Sequence, residues 1–418
     1  PSSTERARSD LLFASGFDPL GPGKQPSPQG VNFGRRSGVN FEGRLTVNFA
    51  SQEYLNLATH PEVRLAAKEA IDIFGVHSAG SAALMGNTRL SLELEKRLAA
   101  FLGYKDCTVF PTGWGAGYGL VKTLVRQGDH VIIDRLAHAC LQEGARAATG
   151  NVHLFPHLSN AAVGEHLRKI RQKNPTTGIL VVSESLFSMD SDVPQIEELQ
   201  DICSCEGATL MIDVAHDAGA TGPAGGGYLE LQCMAGKVDI VMGSFSKSFG
   251  SNGGFVACND PALKLALRYN CGPLTFTNAL SPVQAATVLK SLEIIEGEEG
   301  RILRERLMTN VLYMRERLTQ VGLTPLGLPS AIVPVVLGTS AYSRLATRYA
   351  YEMGALVNLV EFPAVARGTS RWRIQVMANH TAEQIDRFVR IAEAACEKAN
   401  EHLGATEIDR IDATIAAE

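Results

Sequence analysis

No stretch of this 418-residue chain approaches the length and apolarity of a membrane-crossing helix, and its first residues carry no signal-peptide pattern. Basic residues form no run or patch. With 39 Lys and Arg against 44 Asp and Glu the formal net charge is -5, which leaves no electrostatic footprint for nucleic acid or for an anionic membrane surface. Cysteine is sparse. The eight are scattered, and the nearest pair, Cys203 and Cys205, lacks zinc-site spacing. Reduced thiols in a cytoplasmic protein are therefore the expectation. No internal repeat is visible. What remains is ordinary globular composition, 45% hydrophobic and 20% charged, enough for a large core in more than one domain. The 40 glycines suit a fold with many tight turns.

Residues 1 to about 45 are rich in Ser, Pro, Gly and Arg and read as irregular, either a disordered tail or an arm laid across a partner subunit. A short strand is expected at Leu45 to Phe49. Pro61 opens a helix with Val63, Ala66, Ala67, Ala70, Ile71 and Phe74 at 3.6-residue spacing, and Gly75 closes it. A second helix is expected over Leu92 to Leu102. From there strands and helices alternate. Strands are expected at Thr108 to Phe110, His130 to Asp134, Ile179 to Ser183, Thr209 to Ile212, Ile240 to Met242 and Phe255 to Cys258, with a helix from Pro194 between two of them. This alternation predicts a mainly parallel sheet covered on both faces. After Ser281 a long amphipathic region follows, striped by Leu303, Leu307, Val311, Met314 and Leu318. Strands are then expected at Ile332 to Leu337, Ala355 to Val360 and Trp372 to Met377. The last helix opens with Thr381 and Gln384 in capping-box spacing, and residues beyond about 403 look frayed.

Chemistry concentrates at strand ends. Lys247 lies in Gly243-Ser-Phe-Ser-Lys-Ser-Phe-Gly250, a small-residue turn after an apolar strand. A partly desolvated lysine among serines suits a Schiff base, although a surface lysine after a strand would read the same. Gly113 to Gly119 follows a strand and opens a helix, so its bare amides could cradle a phosphate; the alternative is a tight turn. Asp213 ends its strand with His216 three residues on. A carboxylate there could hold a proton on a pyridinium nitrogen, or merely cap the next helix. Asp213 and Lys247 stand about one βαβ unit apart, which puts both on one edge of the sheet. His138 begins a helix where an imidazole could lie on an aromatic ring, or be a satisfied structural histidine. Arg373 alternates with Trp372 on a late strand, where an inward guanidinium would bind a carboxylate.

In this order (glycine-rich loop, His, Asp-x-x-His, Ser-x-x-Lys, late Arg) the residues match fold-type I pyridoxal phosphate (PLP) enzymes. Tyr54-Leu-Asn-Leu57, Thr112-Gly-Trp114, His138-Ala, Phe187-Ser-Met-Asp190, Asp213-x-x-His216, Ser244-Phe-Ser-Lys247 with Gly253-Gly-Phe255, Phe276-Thr-Asn-Ala-Leu280 and Arg371-Trp-Arg373 with His380-Thr381 make the chain resemble the α-oxoamine synthases. The resemblance spans about residues 45–400. It implies an α/β fold: an N-terminal arm at 1–58, a large, mainly parallel PLP-binding domain at 59–290, and a smaller α+β domain at 291–418. It implies a homodimer that joins an amino acid to an acyl thioester of CoA or acyl carrier protein with loss of carbon dioxide. An aminotransferase or β-lyase on the same fold is the alternative. By position, Lys247 would carry the cofactor and move the Cα proton, Asp213 would hold the ring nitrogen, and His138 would stack on the ring. His216 and Ser188 would reach the ring hydroxyl. Gly113, Trp114 and Ser244 would hold the phosphate, with Thr277 from the second subunit. Arg373 would bind the amino-acid carboxylate, with Gln52 and Glu361 near the substrates.

Six positions depart from the family pattern. Ala82 stands where arginine is usual, and Glu361 where several members carry one. Ser91 replaces a histidine, Gln52 and Gly117 replace asparagines, and Val214 replaces an acidic residue. Glu361 in particular implies substrates other than those of a dedicated aminooxononanoate synthase or a typical bacterial serine palmitoyltransferase. A charge pair with Arg367 or Arg371 is its structural alternative.

Overall fold

The computed structural model describes residues 38–41 and 44–415. By internal packing the chain divides into two compact units. The larger comprises Leu55–Ser188 and Asp192–Glu305; the smaller comprises the segment ending at Tyr54, Met189–Ser191, and the chain from Arg306 onward. The division falls at 54/55 and 305/306, against the expected 58/59 and 290/291. The second boundary lies inside the helix Glu298–Gln320, and no breaker residue can announce a boundary inside a continuous helix. The helix Pro282–Glu296 stays with the larger unit because it packs along Pro61–Phe74. Of the expected arm, residues 1–37 and 42–43 lie outside the described residues, while Gly38–Phe41 and Arg44–Phe49 are strands.

The larger unit is built on a seven-stranded sheet. Across it the order is Asp106–Phe110, Gly254–Cys258, Ile240–Ser244, Thr209–Asp213, Ile179–Glu184, His130–Asp134 and Val152–Phe155. Only Gly254–Cys258 runs antiparallel to its neighbours; the remaining pairs are parallel. Central strands read as unbroken apolar runs because both faces are covered: Leu210, Met211 and Ile212 point alternately to opposite faces, and all are fully buried. On one face Met211, Val182 and Met242 join Leu120, Val121, Leu141 and Ala145 from the helices Gly113–Leu124 and Ala139–Ala148 in a continuous core. Parallel strands bring Phe110, Asp134, Glu184, Asp213 and Ser244 out at one edge, where the next turn or helix begins.

The smaller unit holds a five-stranded sheet in the order Gly38–Phe41, Arg44–Phe49, Ala355–Val360, Ser370–Gln375, Ile332–Gly338. Arg44–Phe49 runs parallel to Ala355–Val360, and the other pairs are antiparallel. Trp372, Ile374, Ile385 and Phe388 are buried in this unit, as are Leu307, Val311, Met314 and Leu318 of the long helix. The last helix is capped as expected: Thr381 N–H donates to Gln384 Oε1 at 3.0 Å and Gln384 N–H to Thr381 Oγ1 at 3.3 Å. It continues to Ile415, past the point where fraying was expected. Two edge strands were not expected: Gly38–Phe41, in the stretch read as irregular, and Val152–Phe155. Only Phe155 is buried in the second, so no apolar run marks it.

His380 ties this unit together as a neutral imidazole. Its Nδ1 accepts from Met377 N–H at 2.9 Å, its Nε2 faces Asn48 O at 2.9 Å, and its ring stacks on Phe49 at 4.0 Å. Burial pushes it down to about 4. A base held below its unfolded value makes stability rise with pH, here between about 4 and 6.5. Unfolding free energy should therefore be lower at pH 4.5 than at pH 7. His380→Gln, which takes up no proton, should narrow that difference by about 2 kcal/mol in denaturant titrations. An undiminished difference in the variant would assign the pH dependence elsewhere.

Candidate active site

The candidate site lies at the sheet edge of the larger unit. Lys247 follows Ile240–Ser244 in a turn and is half-buried. It lies close enough for its charge to act on Asp213, Glu184 and Cys140. Asp213 ends its strand directly opposite Glu184 on one side and Met242 on the other. Burial raises the Asp213 carboxyl, and the positive charge of Lys247, then His138 and the bond from Ala215 N–H at 2.8 Å, oppose that rise. His216 is buried in the turn that follows.

His138 is the N-cap of Ala139–Ala148. Cys140 N–H donates to its Nδ1 at 3.3 Å, and Cys140 Sγ lies 3.0 Å from the same nitrogen. The backbone N–H of His138 donates to Glu184 Oε1 at 2.5 Å. Its ring is exposed, and Trp114 meets it edge-on at 6.0 Å. Burial pushes the Cys140 thiol above its usual range, helped by Asp213 and Glu184, so the sulfur stays protonated.

Gly113 opens its helix after the N-cap Thr112, whose Oγ1 accepts from Gly115 N–H at 2.9 Å. A Cβ on Gly113 would lie 2.6 Å from Ser244 Cβ and Oγ, and a Cβ on Gly254 would lie 2.6 Å from Gly113 Cα. A helix N-terminus, a serine hydroxyl and bare glycines thus meet at one point, and the residues fit a phosphate group there. Ser188 sits in the turn after Ile179–Glu184. Thr277 is exposed, with its hydroxyl 2.5 Å from Pro273 O.

The expected substrate residues belong to the smaller unit. Arg373 makes no ion pair among the described residues. With the Gln375 amide oxygen turned toward it, that oxygen accepts from Nε at 2.9 Å and Nη2 at 3.3 Å. Burial lowers the guanidinium, and a cation without a carboxylate partner is a ready anion site. Gln52 is half-buried. Glu361 is held by Arg344, whose Nε donates to its two oxygens at 3.1 and 3.0 Å. The charge pair is therefore not with Arg367, which lies over the Phe362 ring, nor with Arg371, which binds Asp190. Arg344 is far from Glu361 in sequence, so spacing could not disclose it.

Other departures have local accounts. Ser91 closes a capping box with Thr88. Ala82 and Val214 are buried. A Cβ at Gly117 would lie 2.7 Å from Cys140 Sγ, so the bulk of Cys140 occupies the space of a side chain at 117. The residues that sequence reasoning left without a role are Glu184, Ser185 and Asp217. Ser185 donates to Asp217 Oδ1 at 2.7 Å, and Asp217, pushed up to about 7 by burial, also accepts from Tyr228 N–H at 2.7 Å. Their one signal was position at and after a strand end.

The sequence model of the family Aminotransferase class I and II matches residues 45–391. An 8-amino-7-oxononanoate synthase of Citrifermentans bemidjiense is 33% identical over 337 residues, covering 81% of this chain and 85% of that protein. A serine palmitoyltransferase of Sphingomonas paucimobilis is 34% identical over 337 residues, covering 80% and 79%. A solved serine palmitoyltransferase of Sphingomonas wittichii matches with TM-score 0.86 at 28% identity, over 96% of this chain and 98% of that one. A serine palmitoyltransferase structure with a PLP internal aldimine gives TM-score 0.86 at 30% identity over the same shares.

The Gly117–Cys140 contact is testable by packing alone. Gly117→Ala should lower stability by about 1–3 kcal/mol through overpacking against Cys140, Leu141 and Met242. Adding Cys140→Ala should restore part of that loss in thermal unfolding. Strictly additive losses would show that the two positions do not share the space.

Proposed function

This chain belongs to the class I and II aminotransferase family and, within it, to the α-oxoamine synthase group of fold-type I PLP enzymes; on that footing we propose that it is a PLP-dependent C-acyltransferase. It joins a small amino acid to an acyl thioester of CoA or acyl carrier protein. A bond forms between the amino acid α-carbon and the acyl carbon. The thioester C–S bond and the bond to the amino-acid carboxyl group break. The products are an α-amino ketone, a free thiol and carbon dioxide. The observation that carries this reading is the cluster of Lys247, Asp213 and His138 at one sheet edge, beside a glycine–serine phosphate cradle.

PLP, when bound, supplies an electron sink for the charge that develops on the α-carbon. In this reading Lys247 carries the cofactor through its ε-amine and then moves the α-carbon proton. Asp213 keeps a proton on the ring nitrogen. His138, open to solvent on its ring, lies against the cofactor face. His216 and Ser188 address the ring hydroxyl, and Gly113, Trp114 and Ser244 hold the phosphate. Arg373 binds the amino-acid carboxylate, while Gln52 and Glu361 border the substrates. The working unit is a homodimer in which Thr277 reaches the partner's phosphate; its exposure, and that of Phe276 at 86%, support this. Among the described residues no helix is long and apolar enough to cross a membrane. All eight cysteines are free thiols, which suits the reducing cytoplasm.

Borohydride reduction of the holoenzyme followed by peptide mapping should leave the pyridoxyl group on Lys247. A label on another lysine, or no visible chromophore, would sink the assignment. Arg373→Ala should keep cofactor binding and weaken amino-acid binding by roughly 2–5 kcal/mol, because the substrate carboxylate loses a buried partner. Spectral titration with glycine, alanine and serine measures this, and unchanged affinity would refute the role.

A further inference from the structure

His157 lies in the turn between Val152–Phe155 and Asn160–Lys173. Its Nδ1 is 2.9 Å from Asp134 Oδ1 and 3.1 Å from Oδ2, and its Nε2 is 3.0 Å from Asp192 Oδ2. Asp134 is fully buried at the end of its strand, where it also accepts from Leu136 N–H at 2.8 Å and Leu158 N–H at 3.0 Å. The imidazole and the buried Phe187 ring meet edge to face, with centroids 4.5 Å apart and planes at 88°. Phe187 N–H in turn donates to Asp192 O at 2.9 Å. One side chain therefore touches both ends of the six-residue loop Phe187–Asp192, one end through a ring contact and the other through a carboxylate. That loop carries Ser188.

We propose that His157, as an imidazolium between Asp134 and Asp192, is a positioning residue that fixes the Phe187–Asp192 loop and so aims Ser188 at the cofactor. This rests on the reading of Ser188 given above. Two carboxylates on one imidazole require both ring nitrogens to donate, so the ring is the charged form. The charged and titratable groups that act on it are these two carboxylates. Burial alone would push it down, but the hydrogen bonds it donates to Asp134 and Asp192, with their charges, carry it up to about 10. The clamp therefore holds through neutral pH and is released as pH passes about 10. A proton-donating clamp so tightly held is no general base for the reaction. It acts on the loop, and through the loop on the ring-hydroxyl contact.

The test uses the full chain, with and without added PLP. Hydrogen exchange of peptides covering 187–192 is measured in the cofactor-free protein, and PLP affinity is measured by absorbance titration. His157→Gln should speed exchange in this loop by about tenfold or more relative to the rest of the large unit, and weaken PLP binding by a similar factor. Asp192→Asn removes only the outer partner and should show the same local pattern with little change in global melting, so the proposal stays testable if His157→Gln does not fold. In Asp192→Asn the alkaline loss of PLP affinity should set in at lower pH than in the wild-type chain. A merely structural histidine would lower the melting temperature and leave loop exchange, affinity and the alkaline limb unchanged; that result overturns the proposal. If the wild-type chain binds no PLP, the reading of the site fails, and exchange in the cofactor-free protein still decides whether His157 holds the loop.

Discussion

Two carboxyl groups, Glu184 and Asp213, stand directly opposite one another on neighbouring parallel strands, and both residues are buried. Two buried like charges at that spacing are not sustained together, so the surroundings must divide them. Burial raises both, but Lys247 and His138 draw Asp213 back toward the charged form. Glu184 is raised well above the usual carboxylate range by burial and then by Asp213 itself. Its Oε1 accepts the His138 backbone N–H, which anchors the helix cap that presents the imidazole. The charge of this pair is thus drawn to Asp213, the residue assigned to the ring nitrogen. The strand register, the N-cap at His138 and the turn at Lys247 all serve to keep it there.

Much of this was legible in the amino-acid order because the relevant strands are covered on both faces. Continuous apolar runs such as Ile240 to Met242 show as strands, and their ends are where the chemistry sits. His130–Asp134 and Ala355–Val360 have the expected bounds, and Pro61, Gly75 and the Thr381–Gln384 pair mark helix ends by known cap chemistry. Val152–Phe155 escaped because an edge strand buries too little to leave a pattern. The partners of Glu184 and Glu361 escaped for another reason. His138 and Arg344 reach them through the folded backbone, and no local spacing records that approach.

The departures from the family pattern separate on the same physical ground. Gly117 with Cys140 and Ser91 with Thr88 are local exchanges of volume or hydrogen bonds, each explained by a neighbour. Glu361 is different. Its partner Arg344 is more than half exposed, so the pair contributes little to stability.

The central claim is that carbon–carbon bond formation at this site is coupled to loss of both the thiol and the carboxyl group. The most direct measurement incubates the holoenzyme with carboxyl-labelled glycine, alanine or serine and a panel of acyl-CoA thioesters, and counts released thiol and labelled carbon dioxide together. The account predicts equal release of the two, dependent on both substrates, with the cofactor spectrum restored after each turnover. Conversion of the cofactor to its amine form by an amino acid alone, with an oxo acid produced and no thiol released, would contradict it and make the chain an aminotransferase.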